Sequence, residues 1–161
     1  MEKFLVTKEV EFDYGHRIKL HSSKCRNLHG HRGKLVATWS GPLQLFGSST
    51  GMVLDFGDLK EMLMVLHDSW DHVLILEKSD PLLTAIDAWQ FPNMANVGLS
   101  KIFKFDGAPT AENLALYAYN ELNKFTAQSY NEVKLESVVF YETPTSSATI
   151  TRANMSTSTN I

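Results

Sequence analysis

Hydrophobic and polar residues alternate with a period of two in four stretches of the chain. Such alternation, combined with β-branched and aromatic residues, predicts half-buried β-strands. The expected strands cover residues 3–14, 29–43, 132–143 and 147–152. The first two would pair most simply as an antiparallel ribbon, because they are close in sequence. The turn residues "PTS" between the last two predict a second hairpin.

Two long segments, residues 55–70 and 108–128, carry apolar residues at helical spacing instead. The first helix is expected to begin near Asp55 or near Gly57-Asp58, and Thr110 suits the N-cap of the second. Two long helices and two antiparallel ribbons predict an α+β domain. We expect the helices to cover one face of an antiparallel four-stranded sheet.

The chain has 161 residues, which suits a single domain over residues 1–152. Residues 77–107 separate the two halves and are interpreted as a variable insert. Within this insert, residues 79–89 open on Ser-Asp-Pro, a start that suits a short helix with proline in its first turn. Residues 100–105, "SKIFKF", also alternate and predict a further short strand. The polar residues 153–161 are expected to form a flexible C-terminal tail.

Composition narrows the class of protein. Hydrophobic residues make up 43% and charged residues 20% of the chain, as in soluble globular proteins. The formal net charge is −3 and there is no polybasic run, which argues against a nucleic-acid partner. No apolar run suits a signal peptide or a membrane span, so no membrane partner is expected. The single cysteine excludes an internal disulfide and fits the cytoplasm.

A candidate metal site lies at the start of the second predicted strand. His29 and His31 are two residues apart, so their imidazoles point to the same face of the strand. His16 ends the first strand, and antiparallel pairing would bring it beside them. Three imidazoles without a fourth protein ligand are typical of a catalytic zinc ion with one open position. The alternative is that His29 and His31 are surface residues that bind no metal ion.

Cys25 and the pair Asp71-His72 are further candidates. Cys25 could be a fourth metal ligand, a base or nucleophile, or an inert buried thiol, and spacing does not separate these. Asp71 could orient and charge His72 as a proton donor or acceptor. Neighbouring residues on a strand point apart, so this pair requires a bend after the helix or partners in different subunits.

Six motifs occur in an order that resembles the 6-pyruvoyl-tetrahydropterin synthase family, which has the tunnelling fold. They are "FDYGHR", "CRNLHGH", "GMVLDFGDLK", "DH", "PTAENLA" and "YET". The resemblance covers residues 4–152. Cys25 precedes His29 by four residues, and this spacing is similar to that of the 6-carboxytetrahydropterin synthase branch, which belongs to the queuosine pathway.

The resemblance implies a role for each matching residue. His16, His29 and His31 would bind Zn²⁺, and Cys25 would be the general base. The family pattern also implies a proton relay and two acidic positions near the pterin. These are Asp71 with His72 for the relay, Glu142 as the anchor of the pterin ring, and Glu112 as a second carboxylate. An equally good interpretation of Glu112 is that its carboxylate only stabilises the first turn of a helix.

The implied substrate is 7,8-dihydroneopterin triphosphate, converted to 6-carboxytetrahydropterin, acetaldehyde and triphosphate. In this family three subunits close a barrel, two trimers stack as a homohexamer, and the sites lie between subunits. Three alternatives stay open. They are the 6-pyruvoyl reaction, a non-catalytic pterin- or zinc-binding module with Cys25 as fourth ligand, and a hydrolase with a cysteine nucleophile.

Overall fold

The computed structural model describes residues 2–89 and 101–156. Its centre is one six-stranded sheet with the strand order β4-β3-β1-β2-β5-β6. In chain order the strands are β1 (Phe4–His16), β2 (His29–Gly41), β3 (Val73–Glu77), β4 (Ile102–Phe105), β5 (Lys134–Thr143) and β6 (Ser146–Thr151). The helices are α1 (Phe56–Trp70), α2 (Pro81–Trp89), α3 (Ala111–Ser129) and α4 (Arg152–Ser156).

The four strands predicted from alternation are β1, β2, β5 and β6, and they pair antiparallel as two hairpins joined by β2 and β5. The first hairpin pairs without a break from Phe4 opposite Gly41 to His16 opposite His29. Alternation places Phe12 and Tyr14 on the same buried face as Leu35 of the neighbouring strand. This register fixes which side chains meet at the end of the hairpin.

The two long helices pack on that buried face, as predicted. Leu59 and Trp70 of α1, together with Leu114 and Leu122 of α3, are completely buried in the same core as the strands. Asp55 caps α1, since its carboxylate accepts a hydrogen bond from the backbone of the first turn. The hydroxyl of Thr110 does the same for α3, although over a longer distance of 3.4 Å. One face of the sheet therefore builds the core.

The sheet is wider than the predicted four-stranded sheet, because it also includes β3 and the short strand β4, and alternation at residues 100–105 predicted β4 as a strand. β3 lies parallel to the end of β1, with Tyr14 opposite Val73, and β4 lies parallel to β3. The sequence "VLIL" in β3 is an unbroken apolar run, which gives no alternation from which a strand can be inferred. Its pairing also joins segments far apart in the chain. Part of the predicted insert, residues 77–107, thus belongs to the sheet, and its residues 90–100 lie outside the described structure.

The end of the chain continues from β6 into α4, in which Met155 packs against the core. Residues 157–161 of the predicted tail lie outside the described residues, so its flexibility stays a prediction. Trimerisation and barrel closure likewise stay predictions. Among residues 2–89 and 101–156, no helix combines the length and apolarity that a bilayer span requires.

Candidate metal centre

The hairpin register brings three histidines together at one end of the sheet. His16 lies directly opposite His29, and His31 is two residues further along on the same face. Their ring centroids are 4.6 Å apart for His16 and His29, 5.0 Å for His29 and His31, and 5.2 Å for His16 and His31. One nitrogen from each ring lies within 4.8 Å of the others. The predicted ligand set is therefore assembled within one chain.

Backbone carbonyls fix the orientation of two of these rings. Nδ1 of His16 lies 2.8 Å from the carbonyl oxygen of Pro109, and Nδ1 of His29 lies 2.7 Å from that of Asn27. A carbonyl only accepts, so Nδ1 carries the proton in both rings and Nε2 keeps its lone pair. A hydrogen bond from the second ring nitrogen is the usual way in which a protein orients a histidine that binds a metal.

Burial also favours the neutral form of His16 and His31. Burial lowers the pKa of His16, against the opposing effect of the Pro109 carbonyl, and burial likewise lowers the pKa of His31. The Nε2 atoms of His16 and His31 are buried and have no hydrogen-bond partner in the described structure. Buried nitrogens left without a partner are costly unless they bind something. The three histidines thus fit a Zn²⁺ ion, which accepts neutral imidazole nitrogen.

Cys25 lies beside this centre but outside the ligand cluster. It sits in a single 3₁₀ turn, Lys24–Arg26, and is partly exposed. Within the described residues, the ligand atoms that lie within 4.8 Å of one another belong to the three histidines and not to Cys25. Cys25 lines a cavity of about 290 Å³ together with His16. This placement favours a group that faces a ligand over a fourth metal ligand.

Both glutamates singled out in the sequence line the same cavity. Glu112 is exposed in the first turn of α3, and Glu142 lies near the end of β5. One carboxylate oxygen of Glu142 lies 3.4 Å from Nε2 of His16 and 3.8 Å from Nε2 of His31. One histidine of the candidate metal centre, a thiol and two carboxylates therefore line one small cavity, which suits acid–base chemistry on a bound polar molecule.

Asp71 and His72 form a hydrogen-bonded pair within one chain. The bend after α1 makes this possible, because His72 adopts a positive φ of 56°. Nδ1 of His72 lies 2.7 Å from one carboxylate oxygen of Asp71, and the other oxygen accepts a hydrogen bond from the backbone of Asp13. The Asp13 bond, more than the His72 contact, lowers the pKa of Asp71. A charged carboxylate thus orients the imidazole of His72.

The structure does not bring this pair into the cavity of Cys25. The imidazole of His72 is 74% exposed and lines a different and wider cavity of about 850 Å³, which also reaches His29 and His31. Cys25 and His72 therefore face different cavities of the same chain. A joint role for them in one site would need either residues from two subunits or a movement of the Cys25 turn.

The sequence did not single out Tyr14, which is buried next to the candidate metal centre. Its ring lies 5.2 Å from that of His16 and 5.7 Å from that of His31. Burial and the nearby Glu142 carboxylate raise the pKa of the Tyr14 hydroxyl well above its usual value. Gly33 leaves room for the ring, because a Cβ atom there would lie only 2.9 Å from Cε1 of Tyr14. The pairing of a bulky residue with a glycine on the adjacent strand is the signal that could have found it.

His21, in the loop after β1, also lines the cavity of Cys25. Its Nδ1 accepts a hydrogen bond from the backbone N–H of Ser23, so its Nε2 carries the proton when the ring is neutral. Nothing in the local sequence around His21 indicates this placement, because it depends on how the loop folds back toward β1.

Comparisons with known proteins all point to tetrahydropterin synthases. Residues 5–153 match the family model of 6-pyruvoyl tetrahydropterin synthase. The 6-carboxy-5,6,7,8-tetrahydropterin synthase of Haemophilus influenzae is 34% identical over 144 residues, which cover 89% of this chain and 95% of the relative. The protein of the same name from Rickettsia conorii is 35% identical over 141 residues, or 86% of this chain and 93% of the relative.

Solved structures agree on the fold. An uncharacterised protein of Wolinella succinogenes superposes with a TM-score of 0.76 at 25% identity, over 94% of this chain and 99% of the other. The 6-pyruvoyl tetrahydropterin synthase of Caenorhabditis elegans gives a TM-score of 0.64 at 22% identity, over 94% and 96% of the two chains. At that identity the likeness speaks for the tunnelling fold alone.

Proposed function

Because the chain belongs to the 6-pyruvoyl tetrahydropterin synthase family, we propose that it is a 6-carboxy-5,6,7,8-tetrahydropterin synthase. The observation that carries the proposal is the cavity that Cys25 and Glu142 line together with His16 of the histidine cluster, whose buried Nε2 has no hydrogen-bond partner among the described residues. The proteins of that name are similar over nearly the whole chain. The reaction would supply 6-carboxytetrahydropterin for the queuosine pathway.

The substrate would be 7,8-dihydroneopterin triphosphate. Glu142 would hold the pterin, since a carboxylate accepts hydrogen bonds from two neighbouring N–H groups of the ring. Glu112, at the mouth of the same cavity, would face the bound ring as a second carboxylate. His16, His29 and His31 would hold Zn²⁺, which supplies Lewis-acid stabilisation of negative charge on the hydroxyls of the substrate side chain.

The protein groups around that centre would move protons. Cys25 lines the cavity and, as a thiolate, would take a proton from a carbon of the substrate side chain. Asp71 would keep His72 in the orientation needed to return a proton. Triphosphate would leave by elimination, and cleavage of the remaining side chain would give acetaldehyde. Since Cys25 and His72 face different cavities, the complete site would lie between subunits of a homohexamer.

The product decides between this reaction and the 6-pyruvoyl reaction. Incubation of the zinc-loaded protein with 7,8-dihydroneopterin triphosphate is expected to give 6-carboxytetrahydropterin and acetaldehyde, identified by mass spectrometry. Removal of zinc with a chelator should abolish turnover, and added zinc should restore it. Formation of 6-pyruvoyl-tetrahydropterin alone would identify the other branch, whereas turnover that survives chelation would favour the cysteine hydrolase.

A further inference from the structure

The segment that carries Cys25 is tied to the beginning of the insert by a buried ion pair. Arg17, the residue after β1, donates two hydrogen bonds to the carboxylate of Asp80, and its Nε lies 2.8 Å from Oδ2. The side chain of Asp80 is completely buried, whereas that of Arg17 is 22% exposed. The hydrogen bonds from Arg17 hold the pKa of Asp80 below its usual value. The pair is therefore charged at neutral pH, and paired charge-assisted bonds are strong and directional.

Lys19, two residues after Arg17, is bound to residues that lie just before Asp80 in the chain. Nζ of Lys19 lies 2.9 Å from Oε1 of Glu77 and 2.5 Å from Oγ of Ser79. Glu77 is the last residue of β3, and Ser79 belongs with Asp80 to the short connection between β3 and α2. The side chains at positions 17 and 19 thus attach the start of this segment to residues 77–80 at two points.

Ile18, between these two anchored cations, holds Cys25. The backbone N–H of Ile18 donates a hydrogen bond of 2.7 Å to the carbonyl of Cys25, and the backbone N–H of His21 bonds to the carbonyl of Ile18 at 2.9 Å. Ile18 and Cys25 also line the same cavity. The backbone of Cys25 is therefore held by Ile18, which lies between two side chains that are paired with residues 77–80.

We propose that Asp80 is a positioning residue for Cys25, acting through Arg17 and Ile18. The insert would then do more than extend the sheet, because its first residues hold the Cys25 turn against the metal centre. The importance of this for turnover rests on the proposed function. The positioning of the thiol can be measured without turnover, since Cys25 is the only cysteine of the chain.

The test is the rate at which a thiol-directed alkylating reagent modifies Cys25 in the zinc-loaded, full-length protein. Asp80→Asn removes the charge, while an amide oxygen can still accept the hydrogen bond of 2.9 Å from the N–H of Leu82 at the start of α2. Alkylation of Cys25 is expected to become about fivefold faster or more, because the segment opens more often. The kcat is expected to fall about tenfold or more, with KM changing less than about threefold, because the base is misplaced.

Lys19→Met provides a second variant in case Asp80→Asn does not fold. It keeps the aliphatic stem, loses the contacts with Glu77 and Ser79, and should change the alkylation rate in the same direction. Asp106→Asn is the matched control, because it breaks the neighbouring but exposed ion pair between Lys78 and Asp106 at 3.1 Å. This control should alkylate like the wild type.

Alkylation of Asp80→Asn at the wild-type rate would overturn the proposal, and so would an equal acceleration in Asp106→Asn. A wild-type protein that forms no pterin product would refute the proposed function instead. In that case faster alkylation of Asp80→Asn would still support the positioning of Cys25, so the two failures can be told apart.

Discussion

At the scale of single residues, the hydroxyl of Tyr14 is the least expected feature of the metal centre. Tyr14 is 4% exposed, and its hydroxyl has no hydrogen-bond partner in the described structure. A buried hydroxyl without a partner costs roughly 1–3 kcal/mol. Tyr14→Phe removes that hydroxyl and keeps the ring that packs on His16 and His31. We therefore expect the zinc-free variant to be at least as stable as the wild type, by up to about 1 kcal/mol in denaturant unfolding.

Tyr119→Phe is the matched control for this prediction. Tyr119 is equally buried, but its hydroxyl donates to the carbonyl of Leu135 at 3.3 Å. Its removal should lower the free energy of unfolding by about 1 kcal/mol. If Tyr14→Phe lost as much stability as Tyr119→Phe, the Tyr14 hydroxyl would have to be bonded in the zinc-free protein.

Cys25 gives a second prediction at this scale. Removal of a general base leaves the zinc content unchanged, whereas removal of a metal ligand lowers it. Cys25→Ala should retain one zinc ion per chain while turnover falls by roughly 10²–10⁴-fold, the usual contribution of a general base. His29→Ala should lose zinc and turnover together, since it removes one of three ligands. Metal analysis by mass spectrometry beside the product assay checks both. Loss of zinc in Cys25→Ala would instead support a closed structural site.

At the scale of secondary structure, the sequence was most informative where contacts are local. Alternation predicted β1 and β2, and antiparallel pairing of neighbouring strands was enough to place His16 beside His29 and His31. The N-cap Thr110 was also predicted, and Asp55 was one of the two predicted starts of α1, because a cap depends only on the residues that follow it. The grouping of the three candidate metal ligands thus followed from periodicity and one hairpin.

Contacts between distant parts of the chain could not be predicted in this way. The strand β3 has no alternation, and its position beside β1 follows from α1 crossing over the sheet. Arg17 and Asp80 are 63 residues apart, and neither has a neighbour that indicates the other. The sequence also left two explanations for the Asp71-His72 pair. The positive φ of His72 supports the bend, which no local pattern around this residue predicts.

At the scale of the whole molecule, the positions of Cys25 and His72 make subunit assembly testable. They line different cavities in one chain, although the proposed reaction uses both. If each site takes Cys25 from one subunit and His72 from another, two inactive variants should complement each other. We expect oligomers assembled from Cys25→Ala and His72→Asn chains at equal amounts to recover activity. Asparagine suits position 72, because it tolerates the positive φ of this residue.

The amount of recovered activity distinguishes the two arrangements. With random assembly, a shared site receives both intact residues in roughly a quarter of cases, whereas a site within one chain never does. The control mixes wild-type chains with the Cys25→Ala/His72→Asn double variant. It should keep roughly a quarter of the activity if sites are shared, but about half if each site lies within one chain. No recovery in the first mixture together with half the activity in the second would place both residues in a site of one chain. Their separation into two cavities would then require the 3₁₀ turn of Cys25 to move when substrate binds.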